Sequence, residues 1–337
     1  MGPRFSKPYL LKMTIHRKMR GTHEQTESIL RTWLHNVGFD LQQAVRPFHT
    51  TLYAELEEWI MSQNLQEHQL SLIWKLLPAC TSAADKWYPH ASHQLKRYIA
   101  LYTTFLLYVD DKAEQDLEQI LSDLQRVSSG AHHGLHTLKC DDTVVNLWLE
   151  LVATETGMFY GPYSTGVITK GLVDFMLGNT VEASVAAVLQ LPAKFGHRVS
   201  KFVRDKTGAG EVYAHFIFPE HLAEESGHLP TYMPLIACML DIIDDVNDIL
   251  SFFKESVVGT EMNTNIMNRA RTSCCSPHDV LKQLCRETTE TIDVVSNVVE
   301  DNGVVGELWK DFINGYIMWH ICEDRYRLKE IGLAMTE

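Results

Sequence analysis

Glycine and proline are absent from four long stretches of the 337-residue chain: Phe48 to Leu77, His90 to Ser129, Leu235 to Val258 and His278 to Asn302. Each stretch is too long for an ordinary strand and suits a helix of several turns, because nothing in it interrupts the backbone hydrogen-bond ladder. Alternating Val, Ile and Thr between turn signals, the mark of strands, is nearly missing. The pattern predicts an all-α chain of about ten helices. Hydrophobic residues make up 45% of the sequence, enough for a sizeable core. No repeat of about 20–50 residues is visible, which argues against a solenoid. No linker divides the chain, so residues 1–337 read as one domain, with about the first 25 as a flexible basic N-terminal segment.

Breaks are expected at Ser128 to Gly134 and at Thr207 to Gly210, and a helix–helix connection at Gly157 to Gly171. Pro219 to Pro234 reads as a polar connection, and Gly259 to Pro277 as a polar loop over a site.

The balance of charge excludes some functions. Thirty Lys and Arg face 43 Asp and Glu, a formal net charge of -13. A general nucleic-acid binder needs a basic face, so no nucleic-acid partner is expected. None of the seven Cys lies in a CxxC pair, and the adjacent Cys274 and Cys275 suit neither zinc nor a structural disulfide. This reads as a reduced, cytoplasmic protein. No run reaches about 18 apolar residues, so no stable membrane insertion is expected.

Three constellations carry possible chemistry. The first follows the apolar run Tyr98 to Val109: Asp110-Asp111-Lys112-Ala113-Glu114. Residues i and i+4 share a helix face, so Asp110 and Glu114 can approach the same hard cation; the alternative is a solvated acidic helix end. The second lies in Asp241 to Glu255, which reads as one helix. Asn247, Ser251 and Glu255 are spaced four and four, placing an amide oxygen, a hydroxyl and a carboxylate on one face. That is either an all-oxygen Mg²⁺ site or the polar stripe of an amphipathic helix. The third is Gly315 to Arg327, an apolar and aromatic segment followed by Arg325 and Tyr326. It also reads as helical, with Trp319 and Arg325 about 120° apart around its axis. Arg325 suits phosphate oxygens; alternatively, it and Arg327 pair with nearby acids on the surface.

Taken together, the order DDxx(D/E), then N-D-I-x-S-x-x-K-E, then R-Y resembles that of class I terpene cyclases. The segments NDILSFFKE and GYIMWHICEDRYRLKEI are similar to the fungal trichodiene synthase family, and the likeness spans most of the chain. Tyr160-Gly161-Pro162-Tyr163 and Leu172-Val173-Asp174-Phe175 resemble the stretch before that family's active-site helix, and Arg204 with Gly208 and Gly210 its diphosphate-sensing arginine and helix break. The sequence departs from the pattern at Glu114, where Asp is commoner, and at Asp324, where the family carries Arg.

The resemblance implies a single class I terpenoid-synthase bundle around a deep apolar cavity. It implies metal ligands at Asp110, Glu114, Asn247, Ser251 and Glu255, with Asp111 accepting hydrogen bonds from a basic residue. It implies diphosphate contacts from Arg204, Lys254, Arg325 and Tyr326, and a cofactor of three Mg²⁺ ions, replaceable by Mn²⁺. The implied substrate is farnesyl diphosphate and the released product diphosphate. Ionisation leaves an allylic cation that a dry pocket with aromatic faces must protect. Phe105, Phe175, Trp319 and Tyr326 are the wall candidates. A bisabolyl-type 1,6 closure is expected, with humulyl-type 1,11 closure as the alternative. A chain-elongating prenyltransferase and an inactive prenyl-diphosphate binder are the other readings. Monomer and homodimer both remain open.

Overall fold

A computed structural model of the chain describes the backbone of residues 7–130, 139–185, 193–261 and 263–335, with side chains for these except 7–21, 114, 128–130, 182–185, 193–197 and 199. Its helices run in the order α1 (Lys7–Asn36), α2 (Thr50–Ser62), α3 (Glu67–Trp87), α4 (His93–Gln115), α5 (Leu117–Gly130), α6 (Thr143–Phe159) and α7 (Pro162–Val185). They continue with α8 (Ala193–Thr207), α9 (Gly210–Phe216), α10 (Glu225–Tyr232), α11 (Ile236–Phe252), α12 (Asn265–Ser273), α13 (Pro277–Val299) and α14 (Val304–Cys322). Among the described residues there is no strand, as the sequence predicts.

More helices form than glycine and proline alone predict, because polar caps also end helices. In the stretch before Pro78, Gln63 turns extended after α2, and Gln66 and Gln69 then cap α3 reciprocally. In the next stretch Asp116 leaves helical geometry between α4 and α5, and its carboxylate accepts the Gln119 N–H. The opposite departure occurs at Pro78, which lies inside α3. A mid-helix proline costs about 3 kcal/mol. The helix persists because Leu76, Leu77, Cys80 and Thr81, on both sides of it, are buried.

Two of the expected connections are themselves largely helical. Gly157 to Gly171 is the end of α6 and the start of α7, with a break only near Gly161. The Glu225 carboxylate accepts the N–H groups of Tyr163 and Ser164, both at 2.9 Å, which satisfies the open end of α7. Pro219 to Pro234 contains α10. The polar segment after Gly259 contains α12, whose cap is Thr264. The break at Thr207 to Gly210 is present, with Ala209 at φ 52°. At Ser128 to Gly134, α5 reaches Gly130, and 131–134 lie outside the described residues. The N-terminal segment is helical from Lys7 onward; residues 1–6 lie outside the described residues.

One continuous apolar cluster runs from Ile29 to Leu333. Helix α4 is threaded through it: Tyr98, Ile99, Ala100, Leu101 and Tyr102 are consecutive and all fully buried. A helix apolar all round belongs inside a bundle rather than on its surface. Around α4 stand α3, α6 and α7, while α14 packs on α3 and α11 packs against α9 and α13. All seven Cys are free. Among the described residues no helix is long and apolar enough to cross a membrane.

Candidate active site

Five segments meet at one end of the bundle. They are the C-terminal ends of α4, α8 and α11, a π-helical turn at Phe253–Val258, and a 3₁₀ turn at Asp324–Tyr326. The stretch ending at Glu255 is therefore not one regular helix. After Phe252 the ladder widens, and the Gly259 N–H donates to the Lys254 carbonyl at 2.8 Å. The wider turn keeps both Phe252 and Phe253 buried while Lys254 and Glu255 stay at the polar end.

Asn247 is the hub. Its Oδ1 accepts from Arg204 at 3.1 Å, and its Nδ2 faces His320 Nε2 at 3.1 Å and the Tyr326 hydroxyl at 3.3 Å. Arg204 also donates to Asp248 at 2.9 Å and to the Asp244 carbonyl. Asp248 in turn accepts from Asn265 at 2.8 Å, and Asn265 from Ser200. Arg204 reaches α11 because α8 stops at Thr207. Gly208 matters here through close approach, since a Cβ would collide with the Asp244 carboxylate and the Arg204 guanidinium. Burial pushes Asp244 up to about 7, against the pull of Arg204.

Ser251 and Glu255 complete the triad. Ser251 Oγ is buried and makes no hydrogen bond of good geometry, although it lies near enough to Glu255 to favour that carboxylate's charge. Burial raises Glu255 above the usual carboxylate range, opposed by Lys254, whose Nζ is 3.3 Å from its Oε1. A buried hydroxyl without a partner, an amide oxygen and an under-compensated carboxylate form a donor set of oxygens alone. These residues fit a hard divalent cation. Among the described residues no three His, Cys, Asp or Glu gather in metal-holding fashion, so the acidic residues do not form such a site by themselves.

Asp110 and Asp111 lie close enough to Arg325 to stabilise its charge. Burial raises Asp111 above its ordinary value, opposed by Arg325, Lys75 and Lys254. The aspartate end of α4 therefore faces the basic residues of the other segments. Glu114 is part of α4, but its side chain lies outside the described residues. Asp324 pairs with Lys329 at 2.7 Å.

Arg325 is not on the same helix as Trp319. Helix α14 ends at Cys322, Glu323 turns extended, and the Glu323 carboxylate accepts from Ser82 at 2.7 Å. The turn buries Tyr326 and Leu328 and leaves Arg325 exposed at the rim. The Tyr326 ring lies 5.6 Å from Lys254 Nζ and 5.7 Å from the Arg325 guanidinium, and its edge meets Trp319.

From that ring an aromatic succession runs into the core. Trp319 meets Trp87, Trp87 meets Tyr213, and Phe216, Tyr102, Trp148 and Phe175 follow, all with centroids 4.9–6.3 Å apart. Trp319 and Phe175 are thus two ends of one array. Phe105 stands apart. Its ring contacts Trp59 of α2 at 6.3 Å, on a side of α4 about 140° from Asp110. That position packs Phe105 against α2 and outside the array.

Sequence reasoning gave no role to His320, Asp248, Asn265 or Lys75. The available signals were a lone histidine in the apolar run of α14, and an Asp directly after Asn247.

The site and fold find counterparts among known proteins. The family described as trichodiene synthase (TRI5) matches residues 81–335. An (E)-beta farnesene synthase of Metarhizium brunneum is 24% identical over 316 residues, covering 93% of this chain and 91% of that one. Terpene synthase BipA of Cochliobolus sativus is 28% identical over 250 residues, covering 73% and 72%. Among solved structures, germacradien-4-ol synthase from Streptomyces citricolor superposes with a TM-score of 0.59 at 16% identity, covering 83% of this chain and 95% of that one. That likeness concerns the fold, and the family match concerns the stretch in which α3, α4, α8, α11 and the 3₁₀ turn deliver the polar residues. The chain belongs to the trichodiene synthase family and is a class I terpene synthase.

Proposed function

We propose that the chain ionises farnesyl diphosphate with Mg²⁺ and cyclises the resulting cation to a sesquiterpene, releasing diphosphate. The observation that carries the reading is the convergence of Asn247, buried unpartnered Ser251 and Glu255 with Arg204, Lys254, Arg325 and Tyr326. Asn247, Ser251 and Glu255 would hold Mg²⁺ on one side, and Asp110 on the other. Bound there, Mg²⁺ supplies positive charge against the negative charge that grows on the diphosphate oxygens.

The chain's own residues do the rest. Arg204 and Lys254 place fixed cations beside the triad, and Arg325 offers its planar fork from the rim. The C–O bond breaks with its electron pair leaving on diphosphate, and the positive charge stays on the allylic carbons. Tyr326, Trp319 and Trp87 present ring faces and edges just inside the polar end, and Tyr213, Phe216, Tyr102, Trp148 and Phe175 continue them inward. The faces of such rings stabilise a cation by their quadrupole, and their bulk excludes the water that would quench it. Ring closure and final proton loss are then directed by shape.

Closure between C1 and C6 is the favoured course, in keeping with the family; closure between C1 and C11 is the alternative. The relative named as an (E)-beta farnesene synthase favours one further reading, proton loss before any ring forms. Incubation with farnesyl diphosphate and Mg²⁺, with and without isopentenyl diphosphate, followed by gas chromatography–mass spectrometry, tests all of these. A cyclic hydrocarbon or alcohol supports the proposal and an acyclic tetraene the elimination reading. A longer prenyl chain indicates elongation, and unchanged substrate a binder without turnover.

A further inference from the structure

We propose that His320 is a positioning residue that locks the amide of Asn247 in the one orientation that presents Oδ1 to a divalent metal ion. The proposal rests on the reading of Asn247 as a metal ligand.

The argument uses only which atoms can donate. Arg204 Nη2 lies 3.1 Å from one side of the Asn247 amide. A guanidinium has no acceptor, so that side must be Oδ1. Nδ2 therefore faces His320 Nε2, 3.1 Å away. Nδ2 donates, so Nε2 must accept and carries no proton. At the far edge of the ring, His320 Nδ1 lies 2.8 Å from the Tyr316 carbonyl, which only accepts. Nδ1 therefore bears the hydrogen. One neutral tautomer satisfies every contact from Arg204 to the Tyr316 carbonyl. Reversing the amide would set N–H against the Arg204 donor and a lone pair against Nε2, two repulsive contacts at once.

The ring itself is held. His320 is fully buried, with edge contacts to Tyr316 at 4.6 Å and Trp319 at 4.8 Å and a tilted contact to Tyr326 at 4.6 Å. Oδ1 has two lone pairs and Arg204 uses one, leaving the other for a cation. Without His320 the amide is oriented only by Arg204 on one side and, on the other, by the longer contact to the Tyr326 hydroxyl, which can donate as well as accept; a turned amide offers the metal a nitrogen that does not bind. Partners of this kind around a ligand are commonly worth about 10–100-fold in metal affinity.

The test is Mn²⁺ binding in the presence of saturating inorganic diphosphate, read from the electron paramagnetic resonance signal of free Mn²⁺. His320→Phe keeps the ring and removes the acceptor. It is expected to weaken Mn²⁺ binding about 10–100-fold. In an Asn247→Asp background, which offers an oxygen on either side, His320→Phe should cost nothing further. His320→Gln, whose side-chain carbonyl can take the Asn247 amide hydrogen, should stay near the native affinity; it also decides the matter if the Phe variant fails to fold by circular dichroism. Native affinity in His320→Phe overturns the proposal, and so does an equal loss in both backgrounds, which would mark His320 as packing alone. If the native chain binds no Mn²⁺ with diphosphate, the metal reading falls and takes this proposal with it. If it binds and His320→Phe binds as well, only this proposal falls.

Discussion

The polar end of the bundle and its aromatic interior are held by different forces. At the polar end, Ser200, Asn265, Asp248, Arg204, Asn247 and His320 form a continuous succession of directional contacts, each at 3.1 Å or less. Along the interior array, rings meet mainly edge to face, and the hydroxyl of Tyr102 and the indole N–H of Trp148 are buried without hydrogen bonds. The first region specifies atoms, because a donor cannot replace an acceptor. The second specifies volume and shape, because dispersion and quadrupole contacts tolerate many partners. Bond breaking should therefore be lost in an all-or-none way by changes at the polar end. Product choice should drift with changes in the interior.

The largest effect expected is at Glu255. Glu255→Ala removes the one carboxylate of the triad and should lower kcat/KM for diphosphate release by about 10²–10³-fold or more. EDTA should abolish release in the native chain, and Mg²⁺ or Mn²⁺ should restore it. A coupled diphosphate assay measures both, and turnover undiminished in chelator would contradict the whole polar-end account.

Arg325→Ala comes next. This residue sits exposed beside Tyr326, and on the proposed reading its role is to hold diphosphate and keep water from the cation. Lower kcat/KM is expected with lower kcat, together with more acyclic alcohol in the extract. A rise in KM alone, with an unchanged product mixture, would make Arg325 a surface residue.

Smaller still are the interior changes. Trp319→Leu and Phe175→Leu should leave diphosphate release near native and redistribute products. A tenfold change in a product ratio needs only about 1.4 kcal/mol between competing steps. Phe105→Leu, on the α2 side, should leave the profile as it is. If Trp319→Leu slowed release as much as Glu255→Ala, the division between the two regions would be wrong.

The gentlest probe is pH. Burial pushes His215 down to about 4, and His320 to about 3, from a usual 6.5. Both rings are neutral when folded and take up protons more readily when unfolded. Their contribution to stability is therefore complete above about 6.5 and is lost as pH falls towards those lowered values. Buried Asp244, pushed up to about 7, acts in the opposite sense over the same range, so the histidine contribution is read from a difference: the melting temperature of His215→Phe relative to the native chain should rise as pH falls from 6.5 towards 4. A difference independent of pH would show that His215 is not held neutral.

How far the sequence could be read follows from the same contrast. Asn247, Ser251 and Glu255 stand out in the sequence because an amide, a hydroxyl and a carboxylate recur at helical spacing, in order with two further motifs. Arg325 was placed on the wrong element because α14 ends where burying Tyr326 and Leu328 turns the chain, a tertiary demand with no local signature. The neighbour that Phe105 meets is hidden for a related reason. Helix α4 is buried on every side, so its periodicity carries no hint of which neighbour each residue meets. His320 was visible as a polar residue in an apolar run, but its partner lies 73 positions away.

The π-helical turn at Phe253–Val258 has a consequence for how such chains can be recombined. It amounts to one extra residue stored in the last turn of a helical run that ends at Gly259. Removing that residue, or moving the turn by one position, would rotate everything beyond it by about 100° and swing Lys254 and Glu255 out of register with Asn247 and Ser251. The segment from Phe252 to Gly259 should therefore be inherited as an uninterrupted block. In chimeras with relatives, junctions on either side of it should yield active progeny, whereas junctions within it that change its length should not.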